Sequence, residues 1–261
     1  LSEELGNQKK GSLTFAPEAG SQRMRNIINK NLTEEEILST IKQVFETGYS
    51  KIKLYFMIGL PYETDEDIKG IADLAQKIID VYYSIDKKKR AKPFKLTVST
   101  SCFVPKPFTA FQWFPQNTME EFHRKQQYLK SVMPKQVTYN YHDSKLSMLE
   151  AVLAKGDRSL SQAIINAYNN GCVFDSWFDH FNYEGWIKAL KDMGIDAQEY
   201  ASRKLTYEDE LPWDKFDYHV DKEFLIRENE KAKKETTTPP CHKQCSACGI
   251  SKAYGRCKFE V

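Results

Sequence analysis

The feature that most constrains the fold is the segment KIKLYFMIGLP, residues 51–61, together with the helix signals just beyond it. Its apolar stretch has almost no polar face, as in strands covered on both sides or closed into a barrel. Thr64, three residues before Asp67, then opens a helix whose stripe is Ile68, Ile71, Ala72, Ala75, Ile78, Ile79 and Tyr82. A similar unit precedes it. SLTFA, Ser12 to Ala16, reads as a strand; Thr33 and Glu36 form a capping box, Ile37, Leu38, Ile41, Val44 and Phe45 make an apolar face, and Gly48 stops the helix. FKLTVSTSCFV supplies a third strand, and a helix capped by Thr118 and Glu121 leads to QVTYNYH, a fourth. Residues 1–141 are therefore expected to form an α/β domain of parallel strands, an open sheet or part of a barrel.

From Ser144 the pattern is helical only: KLSMLEAVLA, SQAIINAYNN closed by Gly171, EGWIKALKDM closed by Gly194, DAQEYAS and DKEFLIRENEKAKK. Residues 142–234 are expected to be an all-α region, and residues 235–261 a polar linker, KETTTPP, with a Cys-rich tail free to move or fold back. The 38 Lys and Arg against 36 Asp and Glu favour no class of partner. The longest apolar runs fall far short of the roughly 20 residues of a membrane span. The polar start LSEELGNQKK is unlike a signal peptide, so a cytoplasmic location is expected. The chain opens on Leu with a strand almost at once, which suggests the back part of a longer protein.

Ligands of parallel α/β folds gather at the carboxyl ends of the strands. Past the first strand lie Glu18, Gly20 and Ser21; they either cap the next helix or offer a carboxylate and a helix start to a hydroxyl-rich or zwitterionic ligand. Past the second, Gly59 and Pro61 form a turn that brings backbone close to anything above the sheet.

APEAGSQRMRNIINKNLTEEEI and YFMIGLPYETDEDI, in this order and spacing, resemble the fourth and fifth strand regions of the radical S-adenosylmethionine (radical-SAM) barrel. GDRSLSQAIINAYNNGCVFDSWFDHF, ELPWDKFD and TTPPCHKQCSACG are similar to an uncharacterised radical-SAM family that often carries an upstream cobalamin-binding domain. The resemblance implies the later half of a partial TIM-type barrel, followed by the all-α region and the tail. It implies binding of S-adenosylmethionine, reductive cleavage by a [4Fe–4S] cluster whose loop lies upstream, a reductant such as flavodoxin or ferredoxin, and cobalamin in the full-length protein as an open question. In this resemblance Glu18 stands where a polar residue contacts the ribose, Lys30 near the methionine carboxylate, and the Met57 backbone near adenine, with Ser21 at the same loop. Tyr55 stands where some relatives have Asp. The exit SCFVPKPFTAFQW would by family position shape the substrate or cofactor pocket.

Cys241, Cys245 and Cys248 repeat the C-x3-C-x2-C spacing of a radical cluster, but they come after every segment that resembles the barrel. With Cys257 they make a four-thiol set suited to an auxiliary Fe–S cluster or a structural zinc, with His242 a poor substitute ligand. Cys102 reads as a small buried hydrophobe, and Asp179 and His180 lack a nucleophile, so His180 is expected to be structural. The basic runs DKKKRAK and RENEKAKK, with Phe103, Phe111, Trp113 and Phe114, keep open a rival reading. In that reading the chain is a non-catalytic RNA- or protein-binding module stapled by zinc.

Overall fold

The computed structural model describes residues 11–255. Four strands, β1 (Leu13–Glu18), β2 (Lys51–Ile58), β3 (Lys95–Cys102) and β4 (Val137–Tyr141), form one sheet in the order β1-β2-β3-β4. β1 pairs parallel with β2, and β3 with β4. Helices fill every connection: α1 (Gln22–Ile27) and α2 (Glu34–Glu46) after β1, α3 (Asp65–Ser84) after β2, and α4 (Met119–Val132) after β3. Sequential parallel strands joined by helices make an α/β fold consistent with part of a TIM-type barrel.

Burial along β2 alternates. Ile52, Leu54, Phe56 and Ile58 are buried, whereas Lys51, Lys53 and Tyr55 are exposed and Met57 is half-buried. The sequence suggested strands covered on both faces or closed into a barrel; among the described residues Thr14, Lys53, Tyr55, Thr138 and Asn140 lie in the open, whereas consecutive residues Leu96, Thr97 and Val98 of β3 are all buried. The apolar run of β2 hides its alternation because Tyr and Met tolerate partial exposure.

The helix signals read from the sequence are present in the fold. Thr33 and Thr64 each cap a helix through a complete capping box, with Glu36 and Asp67 as reciprocal partners. Ile37, Ile41 and Phe45 of α2 and all seven stripe residues of α3, plus Leu74, are buried. Each of the Ile, Leu and Phe side chains contributes roughly 1.5–3 kcal/mol when taken from water.

By their contacts the described residues divide into two compact units. One comprises those up to Ser101, with Arg124–His142 and Lys231–Thr237; the other comprises Cys102–His123, Asp143–Glu230 and the chain from Thr238 onward. The second unit is built from α5 (Ser144–Lys155), α6 (Leu160–Asn169), α7 (Tyr183–Asp192), α8 (Ala197–Ser202), α10 (Ile250–Tyr254) and, up to Glu230, α9 (Lys222–Lys233). Met148, Val152, Leu160, Ala163, Trp186 and Leu190 lie at its core. Gly171 (φ +84°) and Gly194 (φ +71°) end α6 and α7 in the left-handed conformation that glycine adopts without penalty. Among the described residues no helix is long and apolar enough to cross a membrane.

Candidate functional site

The β1 exit is irregular. The pairing register with β2 shifts between Phe15 and Glu18, and Glu18 itself sits at φ +66°, a conformation costly for a residue with a Cβ. The bend sets the Glu18 carboxylate 3.4 Å from Lys30 Nζ, with about a third of each side chain exposed. A pair so exposed contributes under about 1 kcal/mol to the fold. Both groups are thus available to a ligand, and a carboxylate beside an ammonium complements a zwitterion.

Ser21 has a different occupation. Its hydroxyl accepts the Met24 N–H at 3.0 Å and donates to Asp67 Oδ1 at 2.6 Å. Of the two readings open for this residue, capping is the one its contacts describe. Asp67, 5% exposed, also receives Arg23 Nη1 at 2.6 Å and the Thr64 N–H at 2.9 Å, so one carboxylate ties the α1 start to the α3 cap. Arg23 extends the network to the Tyr62 carbonyl and to Glu235 at 2.8 Å.

Gly20 serves packing. A Cβ there would lie 2.2 Å from the Ile71 amide nitrogen, and Gly70 of α3 faces it, so the β1 exit loop lies directly on α3. The Gly59 turn after β2, with φ +81°, is fixed from below. Glu63 accepts the Gly59 N–H at 2.8 Å and pairs with Lys125 Nζ at 2.9 Å, the two side chains being 3% and 7% exposed. Burial pushes the Glu63 carboxyl up, against the opposing pull of Lys125 and the Gly59 and Leu60 amides. Met57 lies two residues before this turn, within β2. The sequence did not reveal the Glu63–Lys125 pair, because its members are 62 positions apart and only the fold joins them.

Cys102 is buried, and burial pushes its thiol up to about 11, which suits a packing role rather than a nucleophile. Phe103, Phe111, Trp113 and Phe114 are buried or half-buried, and Trp113 packs with Leu211, Trp213 and Leu225. They form ordinary core rather than a stacking platform. His180 is exposed, its ring 6.4 Å from that of Phe174, and so is not the structural histidine expected from the sequence; the 3-10 turn Phe178–His180 leaves it at the surface.

The thiol tail folds back on the second unit. Asp221 donates its N–H to the Cys248 carbonyl at 2.8 Å and binds Lys252 Nζ at 2.6 Å, while Arg227 reaches the Ala247 carbonyl at 3.0 Å. Gly249, φ +105°, lies so close to Asp221 that a Cβ would meet the carboxylate at 2.8 Å. Cys241 and Cys245 are exposed and Cys248 is half-buried. Among the described residues no three Cys, His, Asp or Glu side chains gather as a metal-holding group, and Cys257 lies outside those residues.

Residues 3–75 match the model of the radical SAM superfamily, a stretch that runs through β1, α1, α2 and β2 into α3. This stretch belongs to the radical SAM superfamily. It contains Glu18, Ser21, Lys30 and Met57, and also Glu63 and Asp67. The chain is also 31% identical over 196 residues to the uncharacterized protein MJ0966 of Methanocaldococcus jannaschii, covering 70% of this chain and 40% of that protein. It thus spans well under half the length of the curated relative that it matches. No solved structure matches this chain.

Proposed function

We propose that the β1 and β2 exits bind S-adenosylmethionine as part of a radical SAM enzyme. The observation that carries this reading is the superfamily match over residues 3–75, which falls on the strand ends where Glu18 and Lys30 stand side by side. When bound next to a reduced [4Fe–4S] cluster, S-adenosylmethionine would supply one-electron cleavage of its S–C5′ bond, to methionine and a 5′-deoxyadenosyl radical able to take a hydrogen atom from substrate. In this reading Glu18 accepts hydrogen bonds from the ribose hydroxyls and Lys30 Nζ donates to the methionine carboxylate. The Glu63–Lys125 pair holds the turn next to Met57, whose backbone lies along the adenine. Ser21 acts through α1 and Asp67 and positions the loop that carries Glu18.

Equilibrium binding of S-adenosylmethionine to this chain tests the assignment. Glu18→Ala and Lys30→Ala are each expected to weaken it about tenfold, the effect of losing one hydrogen bond to a charged group; unchanged affinity in both variants rejects it. The whole reaction is tested on the full-length protein, anaerobically reconstituted and reduced, by release of 5′-deoxyadenosine and methionine.

For the tail we propose that Cys241, Cys245, Cys248 and Cys257 together bind an auxiliary Fe–S cluster or zinc. Iron and zinc counts on wild type and Cys257→Ala decide between them. Metal retained in full without Cys257 removes it from the ligand set.

A further inference from the structure

Two stretches set apart in the sequence, the GDR that opens GDRSLSQ and the PWDKF of ELPWDKFD, have no part in the proposed cofactor site. In the second unit they converge. Gly156–Arg158 at the end of α5 and Pro212, Trp213, Lys215 and Phe216, with Pro107, line an open cleft of about 850 Å³. That volume lies within the range of small-ligand sites. Gly156 shapes the wall by close approach: a Cβ there would lie 1.9 Å from Leu160 Cδ1.

The lining chemistry is specific. Arg158 and Lys215 both face the cleft and, among the described residues, neither has an ion-pair or side-chain hydrogen-bond partner. Phe216 is 64% exposed and leaves a bare ring at the cleft, whereas Trp213 is 6% exposed and its indole N–H is directed to Gln112 Oε1 at 2.7 Å. Asp157, whose Oδ1 accepts the Ser159 N–H at 2.8 Å, adds an acceptor for ligand hydroxyls. Two unpaired cations suit a phosphate, and one bare ring suits a flat base.

We propose that this cleft binds a nucleoside phosphate, with the phosphate on Arg158 and Lys215 and the base against Phe216. The ligand's source is a free nucleotide or an unpaired RNA nucleotide.

The test titrates the chain by calorimetry with AMP, adenosine, inorganic phosphate and a short oligoadenylate. Wild type is compared with Arg158→Gln, Lys215→Gln and Phe216→Ala, all exposed positions whose folding is checked by thermal melting. AMP is expected to bind, about tenfold more weakly in each variant. Phe216→Ala should weaken adenosine and AMP alike and leave inorganic phosphate unchanged. Oligoadenylate binding more tightly than AMP, with a steep salt dependence, identifies RNA as the source; equal affinity identifies the free nucleotide. An S-adenosylmethionine site also accepts adenosine nucleotides, so Glu18→Ala is titrated alongside. AMP binding that disappears in Glu18→Ala and is untouched in the three cleft variants overturns the cleft proposal and leaves the cofactor reading standing. No AMP binding at all also overturns it.

Discussion

The β/α unit and the helical unit both close helix starts with nearby side chains, Asn182 and Asp196 doing so in the helical unit. They clamp buried carbonyls over different distances, Arg25 of the β/α unit reaching only to Ala19 and Gly20. In the β/α unit, helix starts are closed by side chains three residues away, as at Thr33 with Glu36 and Thr64 with Asp67. In the helical unit, isolated polar side chains reach far along the sequence to backbone carbonyls. Lys155, fully buried, donates to the carbonyls of Phe114 at 3.0 Å, Ala201 at 3.4 Å and Arg203 at 2.5 Å. Gln116 likewise holds the carbonyls of Phe103 and Ser147. A unit with no sheet to pair its loops uses such clamps, because a buried unpaired carbonyl costs about as much as a lost hydrogen bond. Sites are built differently as a result. In the first unit, groups available to a ligand stand at strand ends, whereas in the second they line a cleft between loops.

The largest effect is expected where the two means do not apply and backbone meets backbone. Gly20→Val places a side chain onto the Ile71 amide, and neither the loop nor α3 can yield without losing its packing. A loss of at least about 3 kcal/mol is expected in urea unfolding. A loss below about 1 kcal/mol, the ordinary cost of a point substitution, would mean that the exit loop does not rest on α3.

Lys125→Met strands the Glu63 carboxylate in the core of the β/α unit and is expected to cost about 3–5 kcal/mol. Replacing both, as Glu63→Gln with Lys125→Met, should recover part of that loss. If the double variant is no better than the single, the pair is not coupled as its 2.9 Å contact implies.

Lys155→Met is the corresponding test in the helical unit. It leaves carbonyls unpaired and is expected to cost roughly 2–4 kcal/mol at neutral pH. Burial pulls the Lys155 ammonium down to about 8, with Arg203 adding to the shift. Between that value and the ordinary 10.5 the unfolded chain holds a proton that the folded chain has released. Stability from this group therefore rises with pH across that window and is lost again as pH falls toward 8. Urea midpoints of wild type and Lys155→Met, compared at about pH 7.5 and about pH 10 on either side of the shifted value, should differ in slope accordingly. Parallel pH profiles would remove Lys155 from the role of buried cation.

The same contrast governs what the sequence displayed. The caps, the stripes of α2 and α3 and the alternation of strand with helix arise from residues close together in the chain, so the elements of the α/β part were legible locally. Glu18 and Lys30 were accessible through the family resemblance and meet as a pair in the fold. Asp67 as a hub, Glu63 with Lys125, and Gly70 against Gly20 were not legible, since each joins elements 44 to 62 positions apart or rests on a close approach that no periodicity reports. In the helical unit the helices were visible and their clamps were not. A lysine in KLSMLEAVLAK reads as a solvated end of an amphipathic helix until the loops that surround it are in place.

The smallest effect compares two helix starts, one from each unit. Thr33 bonds the Glu36 amide and receives the reciprocal Glu36 contact, so Thr33→Ala is expected to cost about 1 kcal/mol. Ser159 precedes α6 in a helical conformation, φ −61° and ψ −26°, with no side-chain bond to the helix. Its hydroxyl turns instead to the exposed Asp157 carboxylate. Ser159→Ala is therefore expected to stay within about 0.5 kcal/mol of wild type, as for surface changes that touch no cap. Equal costs at the two positions would show that α6 is capped in solution as α2 is, and as α5, α7 and α8 of its own unit are.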